Sequence, residues 1–196
     1  NLINIVVWAE NEEAANNALK RYVAGEDKKT HMEGTYESYT LKGFTRWPKS
    51  KHHGCPHGVT DILVVFVSGS SSEHLQAASD YINLRKGIPF KFIVSGDDLS
   101  EVAKKYDTTY TSTTDDNDGF RKKLLDSAIN LDKTLRDTFK TLDTDGCGEI
   151  KKDDLIVASK KLGHELNNEE AEEISNSIAV EGKITFCGFK QWWVMG

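Results

Sequence analysis

The sequence predicts an α/β domain built on a doubly wound, mainly parallel sheet, followed by an all-α domain, with the boundary near residue 130. Three observations carry this. Predominantly apolar runs at residues 3–9, 61–68 and 89–95 alternate with helical stretches, the pattern of strands buried on both faces. Past residue 130 the apolar residues recur at helical spacing: Leu131, Leu135, Phe139 and Leu142, then Leu155, Ala158 and Leu162. Between those two sets lies an Asp/Gly-rich stretch, residues 143–154.

Each element has its own warrant. Residues 3–9 read as a buried strand and residues 11–24 as the helix that follows it. Residues 34–41 alternate as one half-exposed strand does. The run 61–68 is a further strand, and a Gly/Ser turn leads from it to a helix at 72–85. Strand 89–95 precedes a helix at 99–105, and a short strand at 108–111 precedes a long helix from Asn117 to about Leu131. No Pro or Gly falls between Arg121 and Leu142, so this helix is expected to run on towards residue 143, unbroken or with one short turn.

Composition excludes several classes of function. With 38% hydrophobic and 29% charged residues the chain is globular, and its net charge of −6 argues against binding the phosphates of nucleic acid. No apolar run approaches the ~20 residues that cross a bilayer. No signal-peptide pattern opens the chain, and a chain starting at Asn1 is expected to have lost its native start. Three widely spaced cysteines, Cys55, Cys147 and Cys187, give no disulfide framework and favour a reducing compartment. The expected location is the cytoplasm, and association with the cytoskeleton belongs to the same expectation.

Residues 143–154 resemble the calcium loop of an EF-hand. Asp143 and Asp145 stand at positions one and three, and Gly148 at position six, where the chain turns with φ > 0. Glu149 at position seven offers a backbone carbonyl, and Ile150 at position eight is placed to pair with a partner loop. Asp154 stands at position twelve, the bidentate site. The alternative is an ordinary Asp/Gly turn between helices. Two positions depart from the pattern: Cys147 is a soft donor at position five, and Asp154 is one methylene shorter than the usual Glu. The resemblance implies Ca²⁺ bound weakly through Asp143, Asp145, Cys147, Glu149 and Asp154, with Mg²⁺ as the competing ion.

A second such unit follows. Residues 162–171 carry a linker and cap, with Asn167 or Asn168 as N-cap, and Ile174 and Ile178 keep helical spacing. Gly182, Ile184 and Phe186 supply a loop's glycine, pairing residue and aromatic. About two residues are deleted, however, and position twelve falls on Gly188. This loop is expected to bind no ion and to act structurally, Ile184 pairing with Ile150. The closing Phe186, Phe189, Trp192, Trp193 and Met195 read as an aromatic helix face that closes a core, or as a groove for a partner helix.

Residues 3–130 resemble a small Ras-like GTPase in the order of their elements, but not in their motifs. Aligned on Leu19, the phosphate loop has Glu10 and Ala15 at its glycines, Asn16 for its lysine and Asn17 for its Mg²⁺-binding hydroxyl. Glu10, Glu12 and Glu13 add negative charge where phosphate needs positive charge. No Asp between Asp27 and Asp61 supplies the Asp-x-x-Gly element. Ser95-Gly96-Asp97-Asp98 keeps only the last residue of the guanine-reading motif, and Ser112-Thr113-Thr114 keeps only the serine of the next. The resemblance therefore implies a pseudo-GTPase with no nucleotide and no catalysis. Another doubly wound domain, flavodoxin-like or response-regulator-like, is the alternative, but Val67-Ser68-Gly69 lacks the phosphorylatable Asp of a regulator.

His52, His53, Cys55 and His57 crowd one basic, turn-rich segment; they read as a solvated loop, with adventitious Zn²⁺ as the alternative. Three functions follow as expectations: a non-enzymatic Ca²⁺-responsive adaptor for protein partners, a structural subunit whose paired loops no longer sense metal, and a nucleotide switch with a rearranged site.

Overall fold

The computed structural model describes the whole chain except residues 29–30, 49, 51–58, 69–70, 86, 114–116 and 196. His52, His53, Cys55 and His57 lie outside the described residues. The chain divides into two compact units, Asn1–Ile129 and Asn130–Gly196.

The first unit holds β1 (Leu2–Trp8), α1 (Glu12–Val23), β2 (Glu26–Lys28), β3 (His31–Tyr36), β4 (Tyr39–Arg46), β5 (Ile62–Val67), α2 (Ser72–Asn83), β6 (Phe90–Ser95), α3 (Ser100–Lys105) and β7 (Thr109–Ser112). Its last helix, α4 (Asn117–Leu142), continues past the unit's end. The sheet runs in the order β2-β3-β4-β1-β5-β6-β7. Strands β4, β1, β5, β6 and β7 are parallel, and β2 and β3 add an antiparallel edge.

Strand β1 shows why both faces are covered. Its side chains alternate: Ile3, Ile5 and Val7 pack with Leu19 and Val23 of α1 and Leu124 and Leu125 of α4. Val6 and Trp8 pack on the other face with Ala78 and Ile82 of α2 and Ala103 of α3. The sheet is therefore doubly wound and mainly parallel. At roughly 1.5–3 kcal/mol per buried aliphatic side chain, these two layers hold the unit together.

One local reading is corrected. Residues 34–41 are not one strand but parts of two, β3 and β4, which turn at Glu37-Ser38 with Tyr36 paired to Tyr39. Glu37 takes φ 50 there without the Gly or Asn that marks such a turn, so the alternation carries through it unbroken. Helix α4 runs without a break from Asn117 to Leu142, as the absence of Pro and Gly between Arg121 and Leu142 leads one to expect.

The second unit holds the rest of α4, β8 (Glu149–Ile150), α5 (Lys152–Lys161), α6 (Asn168–Ile178), β9 (Ile184–Thr185) and α7 (Phe186–Met195). It consists of two helix–loop–helix units joined by a short antiparallel ribbon, Glu149 against Thr185 and Ile150 against Ile184. Ile150 and Ile184 are buried with Leu135, Phe139, Leu155, Ala158, Phe189 and Trp192. The chain-end aromatics thus close this core. Asn167 caps α6: its side chain accepts from the Glu170 N–H, and Glu170 accepts from the Asn167 N–H, both at 2.9 Å. Within the core Asp132 is buried and held by Lys190 at 2.9 Å and Arg136 at 2.7 Å.

Candidate metal centre

The first loop of the second unit is built from the end of α4 outward. The Asp143 N–H still bonds to the Phe139 carbonyl at 2.9 Å, so the helix delivers Asp143 in a fixed orientation. The chain then turns twice through the left-handed region, at Gly146 (φ 69) and Gly148 (φ 83). Those turns fold the segment inward. Asp143 Oδ2 accepts the Gly148 N–H at 2.9 Å, and Asp145 Oδ1 accepts the Cys147 N–H at 3.1 Å.

Three of the five expected ligands converge. Ligand atoms of Asp143, Asp145 and Cys147 all lie within 4.8 Å of one another. Asp143 Oδ1 is buried and has no hydrogen-bond partner among the described residues. A buried carboxylate oxygen without a donor is costly unless a cation or water meets it, so this atom fits a divalent ion. The Cys147 thiol donates to Asp145, which holds the Asp145 carboxyl below its usual range and pushes the Cys147 thiol up.

The other two stand differently. The Glu149 carbonyl faces Cys147 Sγ at 3.6 Å, while its carboxylate pairs with Lys183 at 2.8 Å. Asp154 is not part of the converged group. Its Oδ2 accepts the Lys151 N–H at 2.8 Å, at the start of α5. Lysine offers no oxygen to cap a helix, and Asp154 is the side chain that satisfies this backbone end.

The second loop is closed by its own backbone. Val180 and Lys183 exchange two hydrogen bonds, at 2.9 and 3.0 Å, around Glu181 (φ 54) and Gly182 (φ 77). Two central residues at positive φ make a tight hairpin with no room for a ligand cage. The deletion seen in the sequence draws Ile178 against α7, where a Cβ on Gly188 would stand 2.9 Å from the Ile178 carbonyl. Putting a carboxylate back at position twelve, Gly188→Glu, should create no second ion site and should cost about 1–3 kcal/mol through overpacking. Metal stoichiometry and thermal unfolding of the variant check both halves of that expectation.

The expected nucleotide site of the first unit takes another form than its alignment implied. Helix α1 begins at Glu12, with the Asn11 side chain accepting the Ala14 N–H at 2.9 Å. Ala15, Asn16 and Asn17 are therefore inside the helix and not in a loop, and Ala15 is fully buried. Only Ala9, Glu10 and Asn11 join β1 to α1. Three residues are too few to wrap a phosphate group with backbone amides. Glu10 accepts a hydrogen bond from the Ser68 hydroxyl, just past the carboxyl end of β5.

No protein-family model matches the chain, and no curated protein does. Among solved structures, the chain is similar to the G-domain of FeoB from Methanococcus jannaschii. The identity is 11%, the match covers 66% of this chain and 98% of that one, and the TM-score is 0.42. Neither the fold described above nor the site rests on that likeness. No helix among the described residues is long and apolar enough to cross a membrane.

Proposed function

We propose that the chain is a non-enzymatic, calcium-binding adaptor. In this reading the second unit is an EF-hand-like pair whose first loop takes one Ca²⁺ weakly, with Mg²⁺ as a competing ion. The first unit is a Ras-like scaffold without a nucleotide site, and its surface serves protein partners. The observation that carries the reading is the convergence of Asp143, Asp145 and Cys147 around the unpartnered Asp143 Oδ1. The three-residue β1–α1 connection and the carboxylate of Glu10 support the absence of nucleotide.

A second reading has its own support. Asp154 is engaged by the Lys151 N–H, and an ion needs it to turn towards the loop. If it stays on the helix, the pair is a structural module of a larger assembly and senses no calcium.

Calorimetric titration of one sample with Ca²⁺, Mg²⁺ and guanine nucleotides separates the readings. The expected result is a single Ca²⁺ site with Kd of about 10⁻⁴ M or weaker, given a soft donor and a short acid. Asp143→Ala abolishes that binding. Asp154→Glu, one methylene longer, tightens it for Ca²⁺. Absence of any Ca²⁺ binding sinks the adaptor reading in favour of the structural one. Protein purified with stoichiometric GDP overturns the scaffold assignment.

A further inference from the structure

The second unit carries a cleft of about 270 Å³ that the metal loop does not use. His164, Leu166, Glu170, Glu173, Ile174, Trp192 and Trp193 line it. We propose that this cleft holds the lysine side chain of a protein partner, its stem on the apolar wall and its ammonium between ring faces and the two glutamates.

The aromatic wall comes first. Trp193 meets His164 at 5.0 Å and 83°, and Trp192 at 6.0 Å and 78°. Rings set at such steep angles wall a corner instead of stacking into a slab. The negative face of an indole attracts a cation placed within about 6 Å of its centroid, and the attraction grows as water is excluded. Leu166 and Ile174 supply apolar surface for a four-methylene stem, which lysine buries while its head stays polar.

The charge is the second argument. The charged side chains on the wall are the carboxylates of Glu170 and Glu173, and among the described residues no Lys or Arg lines it. The neighbouring Glu172 is neutralised by Lys152, which pairs with it across the unit. Glu173, one residue on, makes no ion pair among the described residues, so its charge is available to a ligand. Glu170 already accepts the Asn167 N–H with Oε2, which leaves one oxygen for an incoming donor. A single oxygen suits a point-like ammonium better than the two-pronged fork of a guanidinium. Charge complementarity thus selects a basic partner, and the half-used Glu170 selects lysine.

The inference does not rest on metal binding, so it is tested on the full chain in metal-free buffer. The probes are a short acetylated peptide with one lysine among alanines, its norleucine and arginine counterparts, and tetramethylammonium. The indole N–H resonances of Trp8, Trp47, Trp192 and Trp193, assigned by single Trp→Phe substitutions, report binding. The lysine peptide is expected to shift Trp192 and Trp193 and leave Trp8 unmoved. The norleucine peptide, with the same stem and no charge, binds at least about tenfold more weakly. Glu173→Gln weakens the lysine peptide by about tenfold and leaves the norleucine peptide unchanged. Glu172→Gln, outside the cleft, alters neither. Equal binding of lysine and norleucine peptides overturns the proposal in favour of a merely apolar groove. Tighter binding of the arginine peptide or of tetramethylammonium overturns the lysine assignment, and unmoved indoles overturn the site.

Discussion

Asp132→Ala should destabilise the second unit by about 3–5 kcal/mol, one of the two largest effects expected anywhere in this chain. Asp132 and Lys190 are 1% and 8% exposed, so the substitution removes from the core the carboxylate that faces the Lys190 ammonium. Arg136 also pairs with Asp132, but it is only partly buried and lies over the Phe186 ring at 4.2 Å, so it keeps a partner. The net worth of the intact pair is a separate quantity. Removing both charges with Asp132→Leu and Lys190→Met should restore most of the loss, because desolvation offsets much of the attraction between buried ions. Chemical denaturation of the two variants decides it. A loss below about 1 kcal/mol for Asp132→Ala means that water reaches Lys190 and that the pair is not buried in solution.

The same residue sets an acid limit. Burial works to raise the Asp132 pKa, but the hydrogen bonds and charges of Lys190 and Arg136 outweigh it and hold the carboxyl below its ordinary 3.8. A carboxyl whose pKa is lower folded than unfolded contributes stability that is complete above the unfolded value. That contribution fades as pH falls through the folded value. Acid unfolding of the second unit should therefore be steepest below about pH 4, and the Asp132→Leu, Lys190→Met pair should flatten it.

None of this ion pair is legible in the sequence. Asp132 and Lys190 are separated by 58 positions and each reads as an ordinary surface charge on an amphipathic helix. The sheet strands are legible for the opposite reason. Burial on both faces makes β5 apolar throughout, and β1 and β6 apolar except at Asn4, Lys91 and Ser95, so the pattern needs no partner to be seen. The β3–β4 hairpin hides because Glu37 carries no turn signal, although it takes φ 50.

The loop at residues 143–154 is legible in part. Positions one, three and five follow from spacing within one short loop, and they do converge. The position of Asp154 depends on whether a helix end or an ion has the stronger need of its carboxylate, and spacing alone does not weigh the two. The start of α1 at Glu12 is also legible in the sequence. Asn11 followed by Glu12 and Glu13 is a cap with an acidic first turn, which starts a helix at once. A helix and a phosphate loop compete for residues 12–16. The helix signature is the stronger one.

The other large effect concerns the place where α1 crosses β3. A Cβ on Gly25 would stand 1.6 Å from the Glu33 carbonyl oxygen, and one on Gly34 would stand 2.5 Å from the Val23 carbonyl oxygen. Both obstacles are backbone, so no side chain can turn aside to relieve them. Ala24, the C-cap of α1, already takes the left-handed conformation at φ 50. The glycine at 25 thus serves close approach and not the helix stop. Gly25→Ala should force α1 away from β3 and cost about 3 kcal/mol or more, and Gly34→Ala about 1–3 kcal/mol. The two overlaps lie at one crossing. Once the first has pushed the helix off, the second should cost little, and the double variant should fall short of the sum by roughly 1 kcal/mol or more. Denaturation of the two single variants and the double gives the coupling directly. Strict additivity would mean that the two overlaps are relieved independently and that no shared displacement of α1 occurs. A loss under about 1 kcal/mol for Gly25→Ala would show that the chain between Ala24 and β2 adjusts freely, and the close approach would then contribute little to the fold.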